Sequence, residues 1–287
     1  MLRVEFTIMA KTKLAALLLT LLMAGTAQAA DLPATHYAPA QAVLPVFTWT
    51  GLYAGVNAGA AFSDSGRPRY SEGPGFVGLN PGTLAGFQRS REQTGFVGGG
   101  QFGYNHQVGR IVLGLETDFQ YAGLDRRRSG TGTFPNLPAG VTDNDNLTSR
   151  SRLDYLGTVR GRVGFLPSER LMVYATGGLA YGDVDVRTSY TVIGTGPFFP
   201  GGVNVIPYSG SRSSVQVGYV AGGGVEYAFT DRLSAKLEGL YADLGSSSVT
   251  ARYTGTGGTG PTDIYTVRET NRFGLVRAGL NYRFTGL

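Results

Sequence analysis

The sequence predicts an all-β protein: an eight-stranded antiparallel up-and-down transmembrane β-barrel with long extracellular loops and short periplasmic turns. Three observations carry that expectation. Successive segments alternate apolar residues with Gly-rich or charged ones at period two. Their connections are alternately long and short, as in barrels whose turns lie on one side of a membrane and whose loops lie on the other. An export signal precedes them, and no later apolar run is long enough to cross a bilayer as a helix.

The pattern is clearest from Leu153 to Tyr181, two alternating segments joined by a turn at Pro167 to Arg170. Leu153, Tyr155, Val159, Val163 and Phe165 share one parity, and Asp154, Thr158, Arg160, Arg162 and Gly164 share the other. In the second segment Leu171, Val173, Ala175, Leu179 and Tyr181 alternate with Met172, Tyr174, Thr176, Gly178 and Ala180. A soluble sheet would cover its wet face with Lys, Glu and Thr. Here that face carries Gly, small residues and a few charges, which suits a narrow polar interior. The opposite face is an apolar band with aromatics near its ends, as lipid contact between two interfaces requires.

Composition limits the alternatives. The 287 residues are 42% hydrophobic and 16% charged, and 45 glycines argue against a helical protein. Lys11 and Lys13 precede the apolar run Leu14 to Met23, and Ala27-Gln28-Ala29 follows. That arrangement predicts a signal peptide over residues 1–29, cut after Ala29, with Met1 or Met9 as the start. Residues 30–48, with Pro33, Pro39 and Pro45, read as an extended periplasmic tether, and residues 49–287 as the barrel domain. The absence of cysteine excludes a disulfide scaffold, a thiol enzyme and a cysteine metal site. Without residues 1–29 the chain keeps 22 bases against 19 acids, a net charge of +3 that does not point to nucleic acid. Lys236 is the sole lysine among those 22 bases.

Strand one begins at Trp49, with Leu52, Ala54, Val56, Ala58 and Phe62 toward lipid and Gly51, Tyr53, Gly55, Asn57 and Gly59 inside. Strand two runs from about Gly95 to Asn105 and closes in a turn from His106 to Arg110. Strand three turns Ile111, Leu113, Leu115, Thr117, Phe119 and Tyr121 outward and Glu116, Asp118 and Gln120 inward. Strands four and five form the hairpin above. Strand six covers Val215 to Phe229, strand seven Leu233 to Tyr241 and the last strand Arg272 to Phe284. Residues 63–93, 122–151 and 183–212, and a stretch after strand seven, read as the long loops.

The inward parity collects nine charges: Glu116, Asp118, Asp154, Arg160, Arg162, Glu226, Lys236, Glu238 and Arg277. Strands three and four bring Glu116 and Asp118 toward Arg160 and Arg162, and strands six and seven bring Glu226 near Lys236 and Glu238. Buried charges are tolerated when paired. The set is either a gated ion path or a structural plug, and an eight-stranded barrel has room for little besides side chains. Catalysis finds little support, because His36 in the tether and His106 in a periplasmic turn lie away from the extracellular side. No cofactor or metal is implied, and Gly98-Gly99-Gly100 sits in a strand without the helix that a phosphate loop needs. Arg126, Arg127, Arg128, Arg150 and Arg152 fall on the long-loop side, where planar guanidinium groups would meet lipopolysaccharide phosphates or simply be solvated.

The stretch from Trp49 to Gly59, WTGLYAGVNAG, resembles the first strand of the alphaproteobacterial outer-membrane immunogenic proteins. Tyr155 to Gly164, Val173 to Gly178 and Val276 to Phe284 are similar to other strand motifs of that family. The resemblance implies an eight-stranded surface antigen, sometimes called a porin, related to the membrane domain of outer-membrane protein A. It also implies insertion by the barrel-assembly machinery, which reads a terminal aromatic; here Thr285-Gly286-Leu287 follow Phe284. The expected protein is a structural and surface-interaction component of the outer membrane, meeting lipid and lipopolysaccharide on its wall and host or envelope proteins through its loops. Small or gated porin activity is the alternative. A soluble barrel with its apolar face inside and an outer-membrane enzyme are weaker rivals.

Overall fold

The structure is a computed structural model that describes residues 47–63, 69–72, 81–88, 94–134, 137–197, 202–255 and 264–284. The signal peptide, the tether through residue 46, His36 and the Thr285-Gly286-Leu287 tail lie outside the described residues. The elements in chain order are β1 (Gly51–Ser63), β2 (Arg69–Glu72), α1 (Pro81–Gln88), β3 (Thr94–Val108), β4 (Ile111–Thr133) and β5 (Thr142–Ser168), followed by β6 (Leu171–Thr195), β7 (Val203–Ala228), β8 (Leu233–Tyr253) and β9 (Ile264–Arg283). Each long strand pairs antiparallel with the next, and β1 pairs with β9 from Tyr53↔Arg283 to Ser63↔Phe273. The ring therefore contains eight strands and has no free edge within it. The short β2 lies on the far end of β9, from Arg69↔Arg268 to Glu72↔Tyr265, so the whole sheet has nine strands.

Below a boundary set by bulges, the wall has the polarity expected of a membrane barrel. Val56, Phe102, Leu113, Leu115, Val163, Leu179, Leu237, Val276 and Leu280 stand exposed on the outside. Aromatics mark both rims of this band: Phe119 and Tyr155 at one end, with ring centroids 5.5 Å apart, and the pairs Tyr227–Phe229 and Tyr282–Phe284 at the other. The connection from β3 to β4 is the two-residue turn Gly109-Arg110, tighter than expected, so His106 belongs to β3 opposite Leu113.

The predicted long loops at 122–151 and 183–212 are mostly strand. β4 continues to Thr133, β5 starts at Thr142, β6 continues to Thr195 and β7 starts at Val203. Alternation persists there with inverted polarity: Arg127, Ser129, Arg150, Arg187 and Ser189 face out, while Leu124, Leu147, Leu153, Val184, Val186 and Leu244 face in. The register slips where the inversion occurs, between Tyr121 and Leu124, between Leu153 and Leu156, and between Asp243 and Ser246. A membrane barrel with a polar interior thus continues into a water-facing barrel with an apolar core.

That upper core is stoppered by α1. Phe87 is fully buried with Leu147, Tyr190, Tyr208 and Tyr265, and the Thr83 hydroxyl bonds to the Asp145 carboxylate on β5. Gly130 on β4 permits the approach, since a Cβ there would run into the backbone of Thr83 and Phe87.

This polarity map can be tested with single cysteines, because the native chain has none. On intact cells a membrane-impermeant maleimide should label Ser189→Cys and leave Leu115→Cys unlabelled until the protein is denatured. Protection at Ser189 together with labelling at Leu115 would reverse the assignment.

Candidate functional site: charges enclosed by the barrel

Within the membrane-spanning part, the inward positions of β4, β5, β7, β8 and β9 converge on one ionic cluster. Glu116, Asp118, Glu226 and Glu238 supply four carboxylates, and Arg160, Arg162, Lys236 and Arg277 supply four cations. All eight are 1–3% exposed, and their formal charges cancel. Cancellation is what a confined, poorly hydrated lumen demands, because an unpaired charge there would keep its full desolvation cost.

Glu116 and Glu238 are the hubs. Lys236 reaches across the lumen from β8 to place Nζ 2.8 and 2.9 Å from the two carboxylate oxygens of Glu116. Arg160, directly opposite Glu116 in the β4–β5 register, bonds to that carboxylate, to Asp118 at 2.9 Å and to Glu238 at 3.0 Å. Arg277 on β9 donates to Glu238 and Asp118 with distances of 2.8 and 2.7 Å. Arg162 closes the lower edge with a 2.7 Å bond to Glu226, which also accepts from Ser234 and Asn281 at 2.6 and 2.8 Å. Each guanidinium fork is spread over carboxylates from different strands, so the cluster ties opposite walls together.

Two tyrosines finish the network. The Tyr53 hydroxyl donates to Glu116 at 2.8 Å, and the Tyr174 hydroxyl donates to Glu238 at 3.1 Å. The Arg162 guanidinium lies 4.2 Å from the centroid of the Tyr174 ring. Tyr53 lies over Gly103, its register partner, where a Cβ would collide with the ring. The cluster is capped above by Leu156, Val220, Leu240, Leu275 and their neighbours, and below by Trp49, Val112, Leu166 and Met172. The Trp49 indole donates to the carbonyl of Glu169 at 2.9 Å and holds that lower cap in place.

The structure places eight of the nine predicted inward charges in this cluster and turns Asp154 outward. Asp154 is solvent-exposed and 3.9 Å from Arg152, because the irregularity between Leu153 and Leu156 exchanges the two faces of β5 above it. Its removal converts five acids against four bases into an even balance. Pairing also differs from the neighbour scheme. Glu226 and Lys236 are register partners, yet Glu226 takes Arg162 while Lys236 crosses to Glu116. Tyr53 and Tyr174 shared the inward parity but carried no charge to single them out.

The five arginines grouped as lipopolysaccharide contacts separate into two sets. Arg126 and Arg128 point inward, because β4 keeps its even-numbered residues inside along its whole length. Arg126 lies 3.7 Å from Glu269, and Arg128 is buried 4.0 Å from the same carboxylate. Arg127, Arg150 and Arg152 are on the outer surface. Arg187 joins them from β6, inside a stretch read as loop.

Known proteins are similar to this chain. The 31 kDa outer-membrane immunogenic protein of Brucella melitensis is 32% identical over 272 residues, covering 92% of this chain and 95% of the relative. The 22 kDa outer membrane protein of Rhizobium leguminosarum bv. viciae is 28% identical over 204 residues, with 71% of this chain and 68% of the relative covered. The crystal structure of the outer membrane protein OprG from Pseudomonas aeruginosa overlays with a TM-score of 0.40 at 12% identity, spanning 83% of this chain and 97% of that one. Both sequence relatives are outer-membrane proteins. With the family model for the outer membrane protein beta-barrel domain matching residues 15–284, the chain belongs to that family and to the cell outer membrane.

Proposed function

We propose that the protein is a structural barrel of the outer membrane that presents an extracellular surface and does not conduct. The observation that carries this reading is the balanced set of eight buried charges, bonded across the lumen and sealed between apolar layers on both sides. An ion entering it would have to displace charge-assisted bonds that already satisfy both signs. The long extension above the membrane supplies the face that a surface antigen offers to host or envelope proteins. Lipid and lipopolysaccharide meet the outer wall, and the barrel-assembly machinery inserts it. The rival reading is a small or gated porin. It is favoured by Asp118 Oδ1, Arg160 Nε and Arg162 Nε, which are buried without a hydrogen-bond partner and mark where water would enter a path through the cluster.

Reconstitution in planar bilayers separates the two. The refolded protein is expected to leave the membrane silent, whereas steady, reproducible channel openings would promote the porin. A second expectation concerns stability. Arg160→Met leaves Glu116, Asp118 and Glu238 short of a shared cation, and removing one side of a buried pair costs about 3–5 kcal/mol. The variant should unfold at a lower temperature on semi-native gels, and adding Glu238→Gln should recover part of the loss. If Arg160 instead faced lipid, its removal would relieve about 2–4 kcal/mol, and the variant would be more stable than the native barrel.

A further inference from the structure

The outer wall just above the bulges carries a feature that neither the lumen cluster nor the loops use. In the β4–β5–β6 register, Arg127 is opposite Arg150 and Arg150 is opposite Arg187. All three side chains are exposed on the same face, so three guanidinium groups lie in one row on adjacent strands. Like charges directly opposite one another on paired strands are destabilising, and such a row calls for an anion. The row beneath, toward the membrane, is Asp125, Arg152 and Asp185. Arg150 forks onto Asp125 with Nε 2.8 and 3.0 Å from its oxygens, and Arg187 Nε lies 3.0 Å from Asp185. Asp154 and Asp183 lie lower still on β5 and β6. Arg127 makes no hydrogen bond or ion pair among the described residues. On the far side from the membrane the neighbours are hydroxyls, Thr148, Ser189 and Ser209, and Ser211 pairs with Arg187 on β7. The three arginines and these hydroxyl residues line an open groove of about 540 Å³.

We propose that this groove, centred on Arg127, Arg150 and Arg187, binds the anionic, phosphate-bearing sugar core of lipopolysaccharide standing beside the barrel in the same leaflet. Height and direction select that ligand. Arg127 is six residues beyond Tyr121 on the aromatic rim. At about 3.3 Å per residue and a tilt of about 40°, the arginine row stands about 15 Å above that rim. This is beyond the first headgroup layer, which is about 5–8 Å deep on each side of the hydrocarbon. The groove lies on the outer face of the wall, below the ends of β4 and β6 at Thr133 and Thr195, so a molecule anchored alongside reaches it directly. Guanidinium forks above and hydroxyl donors around them suit phosphate oxygens. The carboxylates below hold Arg150 and Arg187 extended in the row; the Asp125 carboxyl is itself held below the usual carboxylate range by its bond to Arg150.

The inference rests on the outer-membrane surface reading proposed above, and its test keeps the two apart. The full chain and the variant R127Q/R150Q/R187Q are refolded in detergent, with heat-modifiable gel migration confirming a closed barrel. R272Q removes one exposed arginine on β9 outside the groove and is the control. Binding is measured with fluorescent lipopolysaccharide, with the same material after enzymatic dephosphorylation, with lipid A lacking the sugar core and with inositol hexakisphosphate. The expected result is loss of about tenfold or more in lipopolysaccharide affinity for the triple variant and for dephosphorylated ligand, with R272Q and all lipid A affinities unchanged. Equal lipopolysaccharide affinity of native and triple-variant barrels overturns the proposal. Arginine-dependent binding of inositol hexakisphosphate without lipopolysaccharide binding overturns it in favour of a soluble polyanion. If native protein fails to fractionate with outer membranes, the underlying surface reading fails instead.

Discussion

The constraint on which everything else depends is that hydrocarbon offers no partner to a peptide group, so a strand crossing it must be paired on both sides. The β1–β9 ladder meets that demand by closing the ring. Closure then forces every residue of the crossing into one of two places, lipid or lumen. With eight strands the lumen is only as wide as a few long side chains. Polar residues placed there must therefore satisfy one another, and four carboxylates with four cations do so by reaching between walls. The cluster acts as an internal brace because its bonds join β4, β5, β7, β8 and β9 rather than neighbours alone.

A single slip in register changes which solvent each face meets. Below the Leu153/Leu156 irregularity, β5 turns Arg160 and Arg162 inward; above it, Leu153, Ser151 and Ser149 are inside while Arg150 and Arg152 are outside. β8 does the same near Asp243, where Leu240 and Ala242 are inside below and Ser247, Val249 and Ala251 above. The barrel can therefore leave the membrane without ending. Its upper half buries Leu147, Val186, Val249 and Tyr265 as a soluble protein would, and its lower half does the reverse. Each half has the polarity required by its surroundings, and the bulges mark the border.

That border also explains what could be read from the residues alone. Within the membrane the apolar face is continuous, so strand existence, short turns and the parity of Glu116, Arg160, Lys236 and Arg277 were legible. Above it the outward face becomes polar, and a polar alternating strand resembles a loop when hydrophobic period is the signal. Arg126 and Arg128 were nonetheless accessible to inspection, since simple continuation of the even parity of Glu116 and Asp118 carries them inside. Asp154, Arg150 and Arg152 were not, because Leu153-Asp154-Tyr155-Leu156 contains no glycine to announce a bulge. The choice of partners within the cluster was equally hidden. Lys236 prefers Glu116 across the ring to its register partner Glu226, and that depends on side-chain reach around a closed circumference, which no one-dimensional pattern encodes.

The use of charges where leucines would pack as tightly has a physical reason outside the folded state. Filling a lumen with apolar side chains can be as favourable as filling it with a buried ion network, so stability alone does not select the network. A strand apolar on both faces, however, would read as a long uninterrupted hydrophobic run. An exported chain bearing several such runs would be held at the first membrane it met, as spanning helices. Alternation removes that hazard. Segments such as Leu113 to Tyr121, with Glu116 and Asp118 interposed, are too polar on average to insert as helices yet predominantly apolar along one edge. The whole chain has a mean hydropathy of −0.04, close to neutral for a protein that ends in a membrane. On this view the four acids and four bases serve two stages. They keep the strands soluble in transit, and they neutralise one another once the ring closes.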